Sequence, residues 1–99
     1  MENVVTQVDG VSIITIPDHL DVNTSPQIKN TLAEVLKTSD VIELDFSYTA
    51  LVSSAGLRVL LQAQKNVQVS GKSMTLKNIS SDVMEVFTLT GVTKILTIA

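Results

Sequence analysis

The chain has 99 residues, of which 44% are hydrophobic and 17% charged, with only four Gly and two Pro. This is one domain's worth of chain, and the composition excludes disorder, collagen-like repeats and low complexity. A formal charge of −3, three aromatic residues, one His and no Cys argue against a phosphate-backbone binder, an aromatic platform for single strands, a multi-histidine metal site and cysteine chemistry.

The start, Met1-Glu2-Asn3, lacks the positive and apolar regions of a signal peptide. No apolar run approaches the ~20 residues that span a bilayer. The expectation is a small acidic cytoplasmic protein, with no membrane insertion and no direct nucleic-acid contact.

Val4 to Val8 and Val11 to Ile16 are β-branched runs flanking Asp9-Gly10. Asp-Gly between such runs predicts an antiparallel hairpin, because a type I′ turn needs positive φ at both central residues. Pro17 stops the second strand, and Asp18 to Asn23 reads as loop. Thr24-Ser25-Pro26 then predicts a helix start, with a hydroxyl cap followed by Pro at the first helical position. Ile28, Leu32, Val35 and Leu36 recur at helical spacing up to about Thr38.

In Val41 to Phe46, Ile42, Leu44 and Phe46 alternate with Glu43 and Asp45, the period of a strand. Ser47 to Val52 reads as loop. A second helix is predicted over 54–68, with Leu57, Leu60, Leu61 and Val67 on one face. Gln64 interrupts that stripe and should turn the buried face onto Ala63. Ser70-Gly71 closes the helix, and Ser73 to Lys77 alternates as a strand. Ser80-Ser81-Asp82 starts a third helix that carries Val83, Val86 and Phe87 and ends at Gly91. Lys94 to Ile98 predicts a last short strand. No repeat or linker is visible, so residues 1–99 read as a single domain.

The order β-β-α-β-α-β-α-β predicts an α/β fold: a mixed sheet with an N-terminal antiparallel hairpin, the remaining strands largely parallel and joined by right-handed crossovers. In such folds the loops after the parallel strands gather on one edge, where sites form. Those loops carry Asp18 to Asn23, Tyr48 to Ser54 and Asn78 to Ser81. The chemistry should therefore lie around Asp21 and Ser53-Ser54.

The run Val41-Ile42-Glu43-Leu44-Asp45-Phe46, followed after six residues by Ser53-Ser54-Ala55-Gly56-Leu57-Arg58-Val59-Leu60, resembles the anti-sigma factor antagonists. These are members of the STAS (sulfate transporter and anti-sigma factor antagonist) family. Leu20-Asp21-Val22-Asn23-Thr24-Ser25-Pro26 resembles their second signature, and the match covers nearly the whole chain. The resemblance implies a phosphoswitch: the unphosphorylated antagonist binds a serine-kinase anti-sigma factor, phosphorylation at the start of the second helix releases it, and a serine phosphatase restores it. It places the phosphoacceptor at Ser54 and partner contacts at Asp21, Asn23, Thr24, Ser53, Ser54, Ala55, Gly56 and Arg58. It also implies a monomer when free, no cofactor and no enzymatic activity. The family pattern is Asp-Ser-Ser/Thr-Gly-Leu, so Ser53 stands here for the usual Asp and Ala55 for the second hydroxyl residue.

Each residue also has a plainer reading. Ser53 or Ser54 serves equally as a helix N-cap, and the cap and acceptor roles are compatible. Asp21 is also a common kind of turn former, His19 a solvated loop residue and Arg58 an exposed helix residue. Gly56 suits a place where another backbone comes close, as in a kinase active site. A serine hydrolase would need an activating base; Gly-x-Ser-x-Gly is absent, and His19 lies in a different loop. The alternative within the family is an accessory subunit of a lipid-transport or stress-signalling complex without a phosphoswitch.

Overall fold

The computed structural model describes residues 4–99. Strands β1 (Val4–Val8) and β2 (Val11–Thr15) form the expected antiparallel hairpin. Asp9 has φ +52° and Gly10 φ +82°, the two positive values a type I′ turn requires. There follow β3 (His19–Leu20), α1 (Ser25–Thr38), β4 (Val41–Asp45), β5 (Leu51–Val52), α2 (Ser54–Val69), β6 (Ser73–Lys77) and α3 (Ser81–Thr90). A 3-10 turn at Val92–Lys94 leads into the C-terminus.

The main sheet has the order β1-β2-β4-β6. β2, β4 and β6 run parallel, so the sheet is mixed as expected. Period-two patterning decides which side is buried. Ile14, Ile42, Leu44, Met74 and Leu76 share one core with Ile28 and Leu32 of α1, Leu60 and Val67 of α2, and Val83 and Phe87 of α3. Phe46 and Phe87, both fully buried, meet edge to face with centroids 6.2 Å apart, an arrangement that adds about 0.5–1.5 kcal/mol to their burial. On the other face Ile13, Glu43 and Thr75 stand in register and are half-buried. Lys77 pairs with Glu43 there at 2.9 Å.

Four sequence expectations change. The segment 18–23 is not all loop, and neither is 47–52: each contains a two-residue strand, and β3 and β5 pair in parallel as a small second sheet. The last strand over 94–98 does not form. Val92 and Leu96 turn inward at helical spacing instead, and just Ile98 bridges to Leu76. Gln64 does not leave the buried face. It is 4% exposed beside Ala63, and its Oε1 has no partner among the described residues. Thr24 precedes α1, but its side chain does not cap it.

Candidate functional site

The small sheet builds the site. Leu20 lies opposite Val52 in the β3–β5 ladder, so the next residues, Asp21 and Ser53, leave it side by side. The Ser53 amide donates to the Leu20 carbonyl at 2.9 Å. Two segments far apart in sequence thus start α1 and α2 from one point on the sheet edge.

On the α1 side, Asp21 shapes a tight turn. Its Oδ1 accepts from the backbone amides of Asn23 at 2.9 Å and Thr24 at 3.2 Å. Thr24 Oγ1 donates to the His19 carbonyl at 2.7 Å and accepts from the Asp21 amide at 3.0 Å. The Thr24 hydroxyl is consumed by this turn, which is why it cannot cap the helix. Asp21 is half-buried, Asn23 exposed and Thr24 half-buried. His19 is exposed, as expected, although it lies in a strand rather than a loop.

On the α2 side, the two serines divide the work. Ser53 is the N-cap, with φ −87°, ψ 176°, and its Oγ accepts from the Gly56 amide at 3.4 Å. Ser and Asp are both favoured caps, and Ser53 fills that role here without a charge. Ser54 is the first helical residue; it is exposed, and its hydroxyl has no hydrogen-bond partner among the described residues. Ala55 is half-buried, while Arg58, one turn on, is exposed and forms no ion pair among the described residues. Ser54 and Arg58 both line a shallow groove whose apolar wall includes Leu57, Leu61 and Val92.

Gly56 has a different reason from the one the sequence suggested. It is buried, and a Cβ there would lie 2.5 Å from the Leu20 carbonyl oxygen, 2.9 Å from Leu20 Cγ and 3.1 Å from Val52 Cγ1. The backbone that comes close is the chain's own. Gly56 therefore supports the site from beneath.

Sequence reasoning missed several residues here. Leu20 and Val52 are buried and position the two turns. Val22, Tyr48 and Leu51 are 70%, 67% and 46% exposed on the segments that lead into the site. The signal was present as apolar residues inside stretches read as loops.

The adjoining loops are locked by Asp45 at the end of β4. Its Oδ1 accepts from the Ser47 amide at 3.0 Å, the Ser47 hydroxyl and Asn78 Nδ2 at 3.0 Å, tying the end of β4 to the residue after β6. Burial alone would push this carboxyl up, but those hydrogen bonds outweigh it and hold it below the ordinary Asp value. Among the described residues no helix is long and apolar enough to cross a membrane.

Comparison with known proteins places this geometry. The STAS domain model matches residues 3–99. A proposed anti-sigma factor antagonist from Thermotoga maritima is 26% identical, with a TM-score of 0.87 over 97% of this chain and 84% of that one. SpoIIAA, a Bacillus cell-fate determinant solved in its phosphorylated form, is 18% identical, with a TM-score of 0.75 over 98% of this chain and 90% of its own. A sulfate transporter family protein from Wolinella succinogenes is 19% identical, with a TM-score of 0.75 over 90% of this chain and 73% of its own. At the last two identities the likeness is one of fold. The family match over nearly the whole chain carries the assignment: this protein belongs to the STAS domain family.

Proposed function

We propose that this protein is an anti-sigma factor antagonist that binds a serine-kinase anti-sigma factor while Ser54 is unmodified and is released when Ser54 is phosphorylated. The observation that carries the reading is the division of labour at α2: Ser53 caps the helix, which leaves the exposed Ser54 hydroxyl unengaged among the described residues. A kinase can therefore modify Ser54 without dismantling the helix start. The resemblance to an anti-sigma factor antagonist at 26% identity supports the same reading.

In the proposed switch Ser54 Oγ bonds to the γ-phosphorus of ATP as the bond to the β-phosphate oxygen breaks, and ADP and the hydroxyl proton leave. The new group brings a charge of about −1.5 to −2. The helix N-terminus tolerates that charge, so the fold persists and the surface changes. A partner surface docked over Ser54 and the neighbouring apolar residues would have to desolvate a phosphate, with the Asp21 carboxylate on the adjoining turn. A serine phosphatase restores the hydroxyl by hydrolysis, in which water takes the phosphoryl group and inorganic phosphate leaves. Asn23, Thr24 and Arg58 contribute to the same partner face, and the protein itself catalyses nothing.

Titration of the kinase partner with wild type, Ser54→Ala and Ser54→Asp tests this reading. Ser54→Ala should bind like wild type, and Ser54→Asp at least about tenfold more weakly, the effect of one misplaced interfacial charge. Equal binding by all three would contradict the switch. The transport reading rests on the missing Asp at position 53 and the likeness to a transporter family protein. Capture of a membrane permease in place of a kinase would favour it.

A further inference from the structure

A second feature adjoins the Ser54 groove and shares Arg58 and Gln62 with it. A groove of about 260 Å3 runs between α1 and α2. Its walls are Leu32 and Leu36 of α1 and Val59, Ala63 and Val67 of α2, and Ile42 of the sheet forms its floor. Ala33 and Ala63 keep it open, since neither side chain can fill the gap between the helices.

The groove is charged at one end. Both helices link parallel strands of one sheet, so they run in the same direction. Lys29 is the fifth residue of α1 and Arg58 the fifth of α2, and both line the groove. They therefore flank the same end of it. Lys29, Arg58, Lys65 and Lys94 form no ion pair among the described residues, and of these four Lys29 and Arg58 line this groove. No acidic residue lies three or four positions from either on its helix. Two unpaired cations thus border one end of an apolar slot. This occurs in a chain whose net charge is −3. An anion placed between them can pair with both.

We propose that this groove is a binding site for a small anionic amphiphile, whose alkyl chain lies along Leu32, Val59, Ala63 and Val67 and whose head group is held by Lys29 and Arg58. An apolar channel with a few convergent polar groups at one end is the usual form of a small-molecule site. Charge-assisted contacts fix the head, and burial of methylenes supplies the remaining affinity. Arg58 also lines the groove at Ser54, so the test uses unmodified protein with no partner present.

The test is a two-dimensional NMR titration of the 15N-labelled protein with octanoate, octyl phosphate, octanol and acetate. Octanoate or octyl phosphate should give saturable shifts at the Ala33, Val59 and Ala63 amides; a response to one but not the other identifies the preferred head. Octanol and acetate should bind about tenfold more weakly, because each lacks one half of the recognition. Lys29→Gln combined with Arg58→Gln should weaken octanoate binding by a similar factor. Ala33→Leu should abolish it by filling the groove. These three positions are exposed, and unchanged hairpin amides would report an intact fold. Unsaturable shifts, octanol binding as tightly as the anions, or affinity indifferent to the double variant would overturn the proposal.

Discussion

Gly56 lies directly against the Leu20 carbonyl: a Cβ at position 56 would stand 2.5 Å from that oxygen. The same oxygen accepts the Ser53 amide at 2.9 Å. One backbone atom of β3 thus holds the cap of α2 and sets how closely its first turn can approach.

Gly56→Ala should therefore destabilise the protein although it favours the helix. The gain in helix propensity is about 0.5–1 kcal/mol. Against it stands an overpacked contact with backbone, which costs about 1–3 kcal/mol and at times more. Chemical denaturation should show a net loss. An unchanged or raised midpoint would contradict the close packing of α2 on β3.

Ser53 separates capping from charge. Ser53→Ala should cost about 0.5–2 kcal/mol through loss of the cap. Ser53→Asp should keep the cap and add a favourable dipole interaction of about 0.3–1 kcal/mol, so its thermal midpoint should match or exceed that of wild type. A midpoint for Ser53→Asp as low as that of Ser53→Ala would contradict the capping role.

Asp45 links stability to pH. Its carboxyl is held below the ordinary Asp value in the folded state by Ser47 and Asn78. A depressed folded pKa contributes stability that is present above the unfolded value, about 3.9, and is lost as pH falls through the folded one. Acid titration of wild type and Asp45→Asn, followed by circular dichroism, should show a shallower loss below about pH 4 for the variant. Identical acid slopes would contradict the assignment.

Val22 and Leu51, on the segments that lead into α1 and α2, are exposed apolar residues with no role in the core. Val22→Glu and Leu51→Glu should each weaken kinase-partner binding about tenfold or more, as loss of an apolar anchor does. Stability should stay within about 0.5 kcal/mol, the usual range for surface changes. Unaltered affinity would move the partner surface elsewhere.

Legibility in the sequence followed the length and locality of each signal. The hairpin could be read because Asp9-Gly10 specifies its own turn. The helices and β4 could be read because their periods run for a whole element. β3 and β5 could not: two residues hold no period, and Leu20 finds Val52 across a long stretch of chain. That pairing joins Asp21 to Ser53, so the sequence located both halves of the site but not what joins them. Lys94 to Ile98 alternates like a strand, yet burial of Val92 and Leu96 at helical spacing prevails. Gln64 was misplaced because a polar residue in the core leaves no local trace. The division of roles between Ser53 and Ser54 needed backbone geometry, since either residue type can cap.

The central claim is that Ser54 accepts a phosphoryl group from a kinase partner. The direct measurement is intact mass after incubation with ATP and the serine-kinase anti-sigma factor captured from the protein's own cells. Wild type should gain the mass of one phosphoryl group and Ser54→Ala none. No gain in wild type, or a gain that persists in Ser54→Ala, would contradict the claim.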